Sequence, residues 1–193
     1  MELALSVCLG IGLAAATGFR VFVPALLAGG AASLGWITPQ PGFEWLATAP
    51  ALIALGTAAA IELGAYYIPW LDNALDAVAA PLAVLAGGLV ATSFLEVDSE
   101  LLRWVLGMLA GGTSAGGVQA GTTLLRGLST ATTGGLGNGV VATGENAAAV
   151  TLSAVSVTFP LVGGLIALAL VVWIAARFRR WRARRREAPS VVA

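Results

Sequence analysis

Three ionisable residues lie inside long apolar stretches of the sequence: Arg20, Glu62 and Glu145. A charge at the centre of a lipid bilayer costs about 2.5–3.5 kcal/mol on insertion scales, so each residue is expected to face a cavity or an opposite charge. Two interpretations stay open at this point. Arg20 could form a structural ion pair with either glutamate, or it could offer a fixed positive charge to an anionic group while the glutamates carry a proton or a cation.

Neutral polar residues in the apolar stretches could also hold a solute. An amide or hydroxyl group in such a place either binds a ligand or satisfies backbone groups that a broken helix leaves without partners. The candidates are Gln119, Asn138, Asn146, Thr113 and Ser114.

Two aspartates, Asp72 and Asp76, are one helical turn apart and follow Pro69. Acidic residues are favoured in the first turn of a helix, where they cap free N–H groups and interact with the helix dipole. Two carboxylates could also attract a cation, although a calcium or magnesium site needs further oxygen ligands. We therefore predict a capping role for this pair and keep a cation site as the alternative.

The sequence lacks the side chains of most catalytic mechanisms. It contains no histidine and no lysine, and Cys8 is the single cysteine. A histidine base, a Schiff-base lysine and a thiolate zinc site are therefore excluded. We predict that the protein is not an enzyme and holds no cofactor or metal. A lipid-modifying enzyme stays possible only if Asp72 and Asp76 bind a metal ion.

The composition indicates an integral membrane protein. Of the 193 residues, 58% are apolar and 10% are charged, whereas soluble domains average about 45–50% and about 25%. A soluble domain of this size could not cover its surface with so few charged groups. The predicted fold class is an all-α integral membrane protein.

Six hydrophobic segments are predicted, because a spanning helix needs about 20 mainly apolar residues. They form one transmembrane domain, 1–178, and an arginine-rich tail, 179–193, follows. The last 17 residues hold seven arginines, which predicts a cytoplasmic tail that could bind anionic lipid headgroups. The six segments are 3–35, 46–68, 75–95, 102–131, 139–158 and 160–178.

The first and fourth segments are each about 30 residues long, more than one straight crossing of a ~30 Å core requires. Both carry small and polar residues in their middle, and superposing them aligns Arg20 with Gln119. We predict two three-segment repeats, 3–95 and 102–178, each opening with a broken or re-entrant helix, a pattern that points to a transporter site. Kinked or tilted continuous helices are the alternative.

The orientation of the two repeats depends on how those long segments behave. Single crossings make the repeats inverted, and hairpins make them parallel. Either arrangement, applied to both segments, puts both termini in the cytoplasm. Inverted repeats are favoured because they place the acidic loop 96–100 outside and Arg126 inside.

Three runs of the sequence, in their order and spacing, resemble a known family. They are Gly18-Phe19-Arg20-Val21-Phe22-Val23-Pro24, then Glu62 followed by 69–76, and then 129–138 followed by Glu145. The chain resembles the bacterial membrane-protein family called domain of unknown function 4126, except in the arginine tail. Its members often carry charges where this chain has Tyr66, Tyr67 and Asn146. The resemblance implies an uncharacterised multi-pass membrane protein without an established activity.

The leading functional hypothesis is a small-solute or ion transporter or channel with a polar site at the broken helices near the middle of the bilayer. The alternative is a non-transporting scaffold or assembly factor whose buried charges lock helix packing and whose basic tail recruits lipid or a partner. We expect a homo-oligomer in the bacterial plasma membrane, without a nucleic-acid partner. The predicted solute- or ion-binding residues are Arg20, Glu62, Gln119, Asn138, Glu145 and Asn146.

Overall fold

The structure is a computed structural model that describes the backbone of residues 2–187 and their side chains except those of 69–74, 76, 77 and 181–187. Over this range the chain is helical and forms no strand, which confirms the predicted all-α fold. A 3-10 turn, Glu44–Ala47, precedes α3, and a π-helical turn, Gly107–Gly111, joins α5 to α6. The helices are α1 Leu3–Thr17, α2 Phe22–Ser33, α3 Ala49–Ala65, α4 Pro69–Phe94, α5 Glu100–Leu106, α6 Gly112–Thr133, α7 Asn138–Thr158 and α8 Pro160–Glu187.

Among the residues that the structure describes, two helical stretches are long and apolar enough to cross a membrane: Asn138–Thr158, which is α7, and Pro160–Arg180 within α8. Only 17% of the most apolar part of α8 is buried inside the molecule. This helix therefore turns most of its apolar surface outward. Shorter apolar helices are Leu3–Thr17, Phe22–Ser33, Ala49–Ala65 and Val78–Phe94.

The first hydrophobic segment folds back on itself, so the expected break in this segment is confirmed. α1 ends at Thr17, and after a four-residue turn α2 runs back toward the end where α1 begins. Ala28 and Ala31 of α2 consequently share a buried cluster with Leu9 of α1. Pro24 explains the change of direction, because it has no N–H for a continuing α1 but is tolerated in the first turn of α2.

Loops gather at the end of the molecule where α1 begins, which we call the loop end (residues 34–48 and 95–99). The Gln40 N–H donates to the Ser93 carbonyl at 2.7 Å. The Glu96 N–H donates to Ser6 Oγ at 3.1 Å. These bonds bring the loop after α2 and the end of α4 together with the first turn of α1.

The expected break in the fourth segment is wrong. α6 runs without interruption over Gly112–Thr133, and the only irregularity before it is the π-helical turn. The superposition that aligns Arg20 with Gln119 puts Thr123 opposite Pro24. Threonine keeps its N–H, so the helix can continue. Of the two helices that were predicted to be broken, only the one in the first segment is broken.

The glycines of the fourth segment allow close helix packing. Gly107 lies against Thr92 of α4, and Gly111 lies against Gly87 one turn further along. A Cβ atom at either glycine would collide with α4. Small residues in such pairs let two helix backbones approach each other, as expected for packing through small residues.

The two described ends of the chain lie at opposite ends of the molecule. α8 runs parallel to α1, since Gly164 lies against Cys8 and Ile174 packs in the same cluster as Phe19. α1 thus begins at the loop end, whereas Arg177 lies at the other end, which we call the tail end. This arrangement differs from the prediction of both termini on one side, because the first segment doubles back while the fourth runs once from the loop end to the tail end.

Candidate functional site

The turn between α1 and α2 is held by the carboxylate of Glu62 on α3. The Val21 N–H donates to Glu62 Oε1 at 2.6 Å, and the Phe22 N–H donates to Glu62 Oε2 at 3.0 Å. Glu62 is buried, with 8% of its surface exposed. One carboxylate thus binds two free N–H groups at the start of α2, where the helix dipole also favours a negative charge.

The guanidinium of Arg20, in the same turn, is fully buried and bonded through every nitrogen. Its Nη1 donates to Glu145 Oε2 at 2.8 Å and to the Phe19 carbonyl at 2.9 Å. Its Nε donates to Asn146 Oδ1 at 2.5 Å, and its Nη2 donates to the Ala142 carbonyl at 3.2 Å. The interpretation of Arg20 as a member of an ion pair is confirmed, with Glu145 as its partner.

A second arginine shares the same carboxylate. Arg126 of α6 donates from Nε to Glu145 Oε1 at 3.1 Å and from Nη2 to Glu145 Oε2. The Tyr66 ring lies 3.9 Å from the guanidinium carbon of Arg20 and 4.2 Å from that of Arg126, measured to the ring centroid. The tyrosine face therefore stabilises both cations through cation–π contacts.

The site joins the α1–α2 turn to α3, α6 and α7. Among the described side chains it holds two arginines, Arg20 and Arg126, and two glutamates, Glu62 and Glu145. Such a buried set is stable only while each member keeps its partners, because an orphaned buried charge is costly. Phe19, next to Arg20, packs in the same cluster as Ile174, which lies at the middle of α8 and one turn before Arg177.

A model of the family described as "Domain of unknown function (DUF4126)" matches residues 7–180. The chain belongs to the DUF4126 family. Every residue of the site falls inside the match. No curated protein and no solved structure matches the chain.

In this DUF4126 chain four of the predicted site residues meet at the α1–α2 turn. Glu145 and Asn146 bind the side chain of Arg20, and Glu62 binds the backbone directly after it. The α1–α2 turn therefore contributes to the site in two ways, through the Arg20 side chain and through the backbone N–H groups that follow it.

Two predicted residues lie elsewhere. The Gln119 amide donates to Thr123 Oγ1 on its own helix at 3.5 Å, because α6 continues where a break was expected. The Asn138 amide donates to Thr130 Oγ1 at 3.1 Å, at the turn between α6 and α7. The side chains of the remaining two candidates, Asp72 and Asp76, lie outside the described residues.

Arg126 and Tyr66 are the site residues that the functional prediction missed. Arg126 is a lone charge in an apolar stretch, which is the same signal that singled out Arg20. The sequence analysis considered Arg126 only for the orientation of the repeats and not as a site residue. Tyr66 carries no such signal, because an aromatic residue near a helix end is ordinarily packing or an interfacial anchor.

The rim of the site in this DUF4126 protein is polar on the side of Tyr67. The Tyr67 hydroxyl lies 3.0 Å from Thr143 Oγ1, and the Asn146 amide donates to it at 3.4 Å. Tyr67 is half exposed, at 52%. Asn146 therefore links Arg20 to a surface tyrosine through two successive hydrogen bonds.

A groove of about 250 Å³ between α3 and α4 reaches the other side of the site. Glu62 and Tyr66 line it together with apolar residues, among them Phe22 and Leu82. The Glu62 carboxylate is thus flanked by the α2 helix end and by an open apolar groove.

Proposed function

We propose that the chain is a multi-pass protein of the bacterial plasma membrane. The largely unburied apolar surface of α8 and the apolar character of α1, α2 and α3 support this location. Exposed large apolar side chains are numerous on several helices, including Ile53 of α3, Leu101 of α5 and Leu165 of α8. So many exposed apolar side chains are typical of a protein in contact with lipid.

In this proposal the tail end faces the cytoplasm and the loop end faces outward. The exposed Arg177, Arg179 and Arg180 follow the apolar part of α8, as the positive-inside bias favours. They would also contact anionic headgroups at the inner surface. The acidic loop with Glu96, Asp98 and Glu100 would then lie outside.

The function that the site supports best is transport of a small anion. The observation that carries it is the Glu62 carboxylate bound to the free N–H groups of Val21 and Phe22, directly beside the buried cation Arg20. A helix N-terminus next to an arginine is the arrangement that binds the anionic group of a substrate in transporters with interrupted helices. The Glu62 carboxylate occupies this position as an internal anion that a substrate would replace.

Replacement of Glu62 couples the anion to a proton. A free carboxylate in apolar surroundings is costly, so Glu62 takes up a proton that enters from the same side as the anion and leaves the helix end as a neutral acid. The entering anion then restores the balance of charge with Arg20 and Arg126. Glu145 and Asn146 keep the Arg20 guanidinium in place during this exchange.

Access would alternate between the two sides of the turn. The rim formed by Tyr67, Thr143 and Asn146 opens toward the tail end, while the groove between α3 and α4 receives the Glu62 side chain. The surface of this groove is apolar apart from the site, which suits a protonated carboxyl group better than an ion.

The proposal is tested by anion uptake into vesicles that contain the purified protein. We expect an imposed pH gradient to drive accumulation of at least one of chloride, acetate and inorganic phosphate. In Glu62→Gln this accumulation should fall by at least about tenfold, because the link between proton and anion is removed.

The matched control is Glu44→Gln, which removes a carboxylate from an exposed loop. Its uptake should equal that of the unchanged protein. Unchanged accumulation in a correctly folded Glu62→Gln variant would contradict the role given to Glu62.

A scaffold function is the second candidate, and one observation favours it. Arg20 is bonded through every nitrogen, and Glu145 is shared by two arginines. Hydrogen bonds that are all made within the protein are typical of a network that stabilises helix packing. If no anion is transported while Glu62→Gln lowers stability, the network serves folding alone. The exposed apolar faces would then bind a second copy or another membrane protein.

A further inference from the structure

A polar pocket of about 440 Å³ opens at the loop end, far from the charged site. Gln40 and Pro41 line it from the loop after α2, Glu96 and Asp98 from the loop after α4, and Arg103 from α5. The pocket thus combines one basic and two acidic side chains at the surface of an otherwise apolar helical bundle.

Arg103 lacks a counter-ion there. It is buried, with 7% of its surface exposed, yet it forms no ion pair with any carboxylate that the structure describes. Its Nη1 reaches Gln40 Oε1 at 3.3 Å and its Nη2 reaches the Pro41 carbonyl at 3.4 Å, and both acceptors are neutral. Its Nε meets no acceptor among the described residues. A buried guanidinium held so weakly favours an anion that approaches from the pocket.

The polar pocket continues into an apolar groove. A groove of about 340 Å³ between α1, α4 and α5 shares Leu3 and Val97 with the pocket. It runs on into a third cavity of about 400 Å³, with which it shares Ile11, Leu106 and Ala110. The three cavities therefore adjoin one another, with polar residues at the first and mainly apolar residues along the other two, and we call them together the path.

The length of this path matches one leaflet of a bilayer. From Arg103 at the mouth to Ser114 at the far end, the helix advances by about 16 Å at 1.5 Å per residue. Half of a hydrocarbon core about 30 Å thick is about 15 Å. Trp36 and Trp104 lie at the same end of the molecule, as expected where the polar and apolar parts of a membrane meet.

We propose that this path binds one phospholipid with a zwitterionic headgroup, of the phosphate-plus-ammonium type. The phosphate lies at the Arg103 guanidinium, the ammonium lies toward Asp98, and an acyl chain follows the groove past Ala110 toward Ser114. A purely anionic headgroup would bring a second negative charge close to Asp98 without an ammonium to compensate for it. The inference depends on membrane insertion but is independent of anion transport.

The test is lipid retention by the full chain, purified in detergent and observed by native mass spectrometry. The probes are phosphatidylethanolamine, phosphatidylglycerol and diacylglycerol of equal chain length. We expect one phosphatidylethanolamine to be retained in preference to the other two. Arg103→Gln should lower its retention by about tenfold or more, because a charge-assisted hydrogen bond is lost.

The matched control is Arg177→Gln, which removes an exposed arginine at the opposite end and should leave retention unchanged. Two further variants address separate parts of the path. Asp98→Asn, at an exposed position, should weaken the preference for phosphatidylethanolamine over phosphatidylglycerol. Ala110→Trp should fill the groove and release the lipid although Arg103 is intact.

Equal retention by Arg103→Gln and the unchanged protein would overturn the proposal, and so would equal binding of phosphatidylglycerol and phosphatidylethanolamine. If Arg103→Gln does not fold, the other two variants decide. The proposal is overturned if Asp98→Asn keeps the preference for phosphatidylethanolamine and Ala110→Trp keeps the lipid. Failure of membrane insertion is distinguishable, since the protein would then remain in solution without detergent. Failure of anion transport would appear only in the vesicle assay.

Discussion

Replacing Glu145 with glutamine is expected to lower the free energy of unfolding by about 3–5 kcal/mol, because two buried arginines lose a shared counter-ion. Glu145 Oε2 accepts from both Arg20 and Arg126, and its Oε1 accepts from Arg126. Glutamine has the same shape but offers one oxygen and no charge. The loss is measured as a lower midpoint of unfolding of the detergent-purified protein, followed by tryptophan fluorescence.

Two variants separate this effect from a general loss of charge. Glu44→Gln removes an exposed carboxylate and should change stability by less than about 1 kcal/mol. The double variant with Glu145→Gln and Arg126→Gln removes one of the two arginines that lose the Glu145 carboxylate, so it should recover part of the stability. A single Glu145→Gln variant as stable as the unchanged protein would show that the network contributes nothing to the fold.

The second large effect concerns the sides of the membrane on which the two chain ends lie. We expect the N-terminus and the arginine-rich tail to lie on opposite sides, because α1 and α2 enter and leave on the same side. The measurement uses single cysteines at Glu2 and Arg179 in a Cys8→Ala background, with an impermeant maleimide applied to sealed vesicles. One position should be labelled and the other protected.

An added cysteine at Asp98 serves as the matched control. Asp98 lies at the loop end with the start of α1, so its labelling should follow that of the cysteine at Glu2. If the cysteines at Glu2 and Arg179 are labelled from the same side, the first segment crosses the membrane, and the hairpin is wrong.

The sequence predicted the first break and gave the ion pair as one of two interpretations of Arg20. A charge such as Arg20 inside an apolar stretch must face a cavity or an opposite charge, and the sequence offers only a few acids in comparable stretches. Pro24, a few residues later, cannot sit in the interior of a continuing helix. Both inferences use local chemistry, so one sequence is enough for them.

The rest of the site depends on tertiary packing that local patterns do not contain. Gln119 has the same sequence surroundings as a break residue, yet α6 stays regular because Thr123 retains its N–H. The choice of Glu145 rather than Glu62 as the partner of Arg20 follows from the way α7 packs beside the turn. The reversal of α2 also decides where the termini lie, and no charge pattern reports it.

Arg103 illustrates the same limit at the loop end. In the sequence it is an ordinary arginine in the first turns of a helix, close to acidic residues that could screen it. Only the folded chain turns its guanidinium toward Gln40 and Pro41 and leaves it without a carboxylate partner among the described residues.

The exchange of the Glu62 carboxylate for an external anion is tested most directly by infrared difference spectroscopy of the purified protein as the transported anion is added. The account predicts that a carboxylate band disappears and a protonated carboxyl band appears, and that both changes are absent from Glu62→Gln. Anion transport without any signal from Glu62 would contradict it, because the carboxylate would then remain bound at the start of α2 while the anion passes elsewhere.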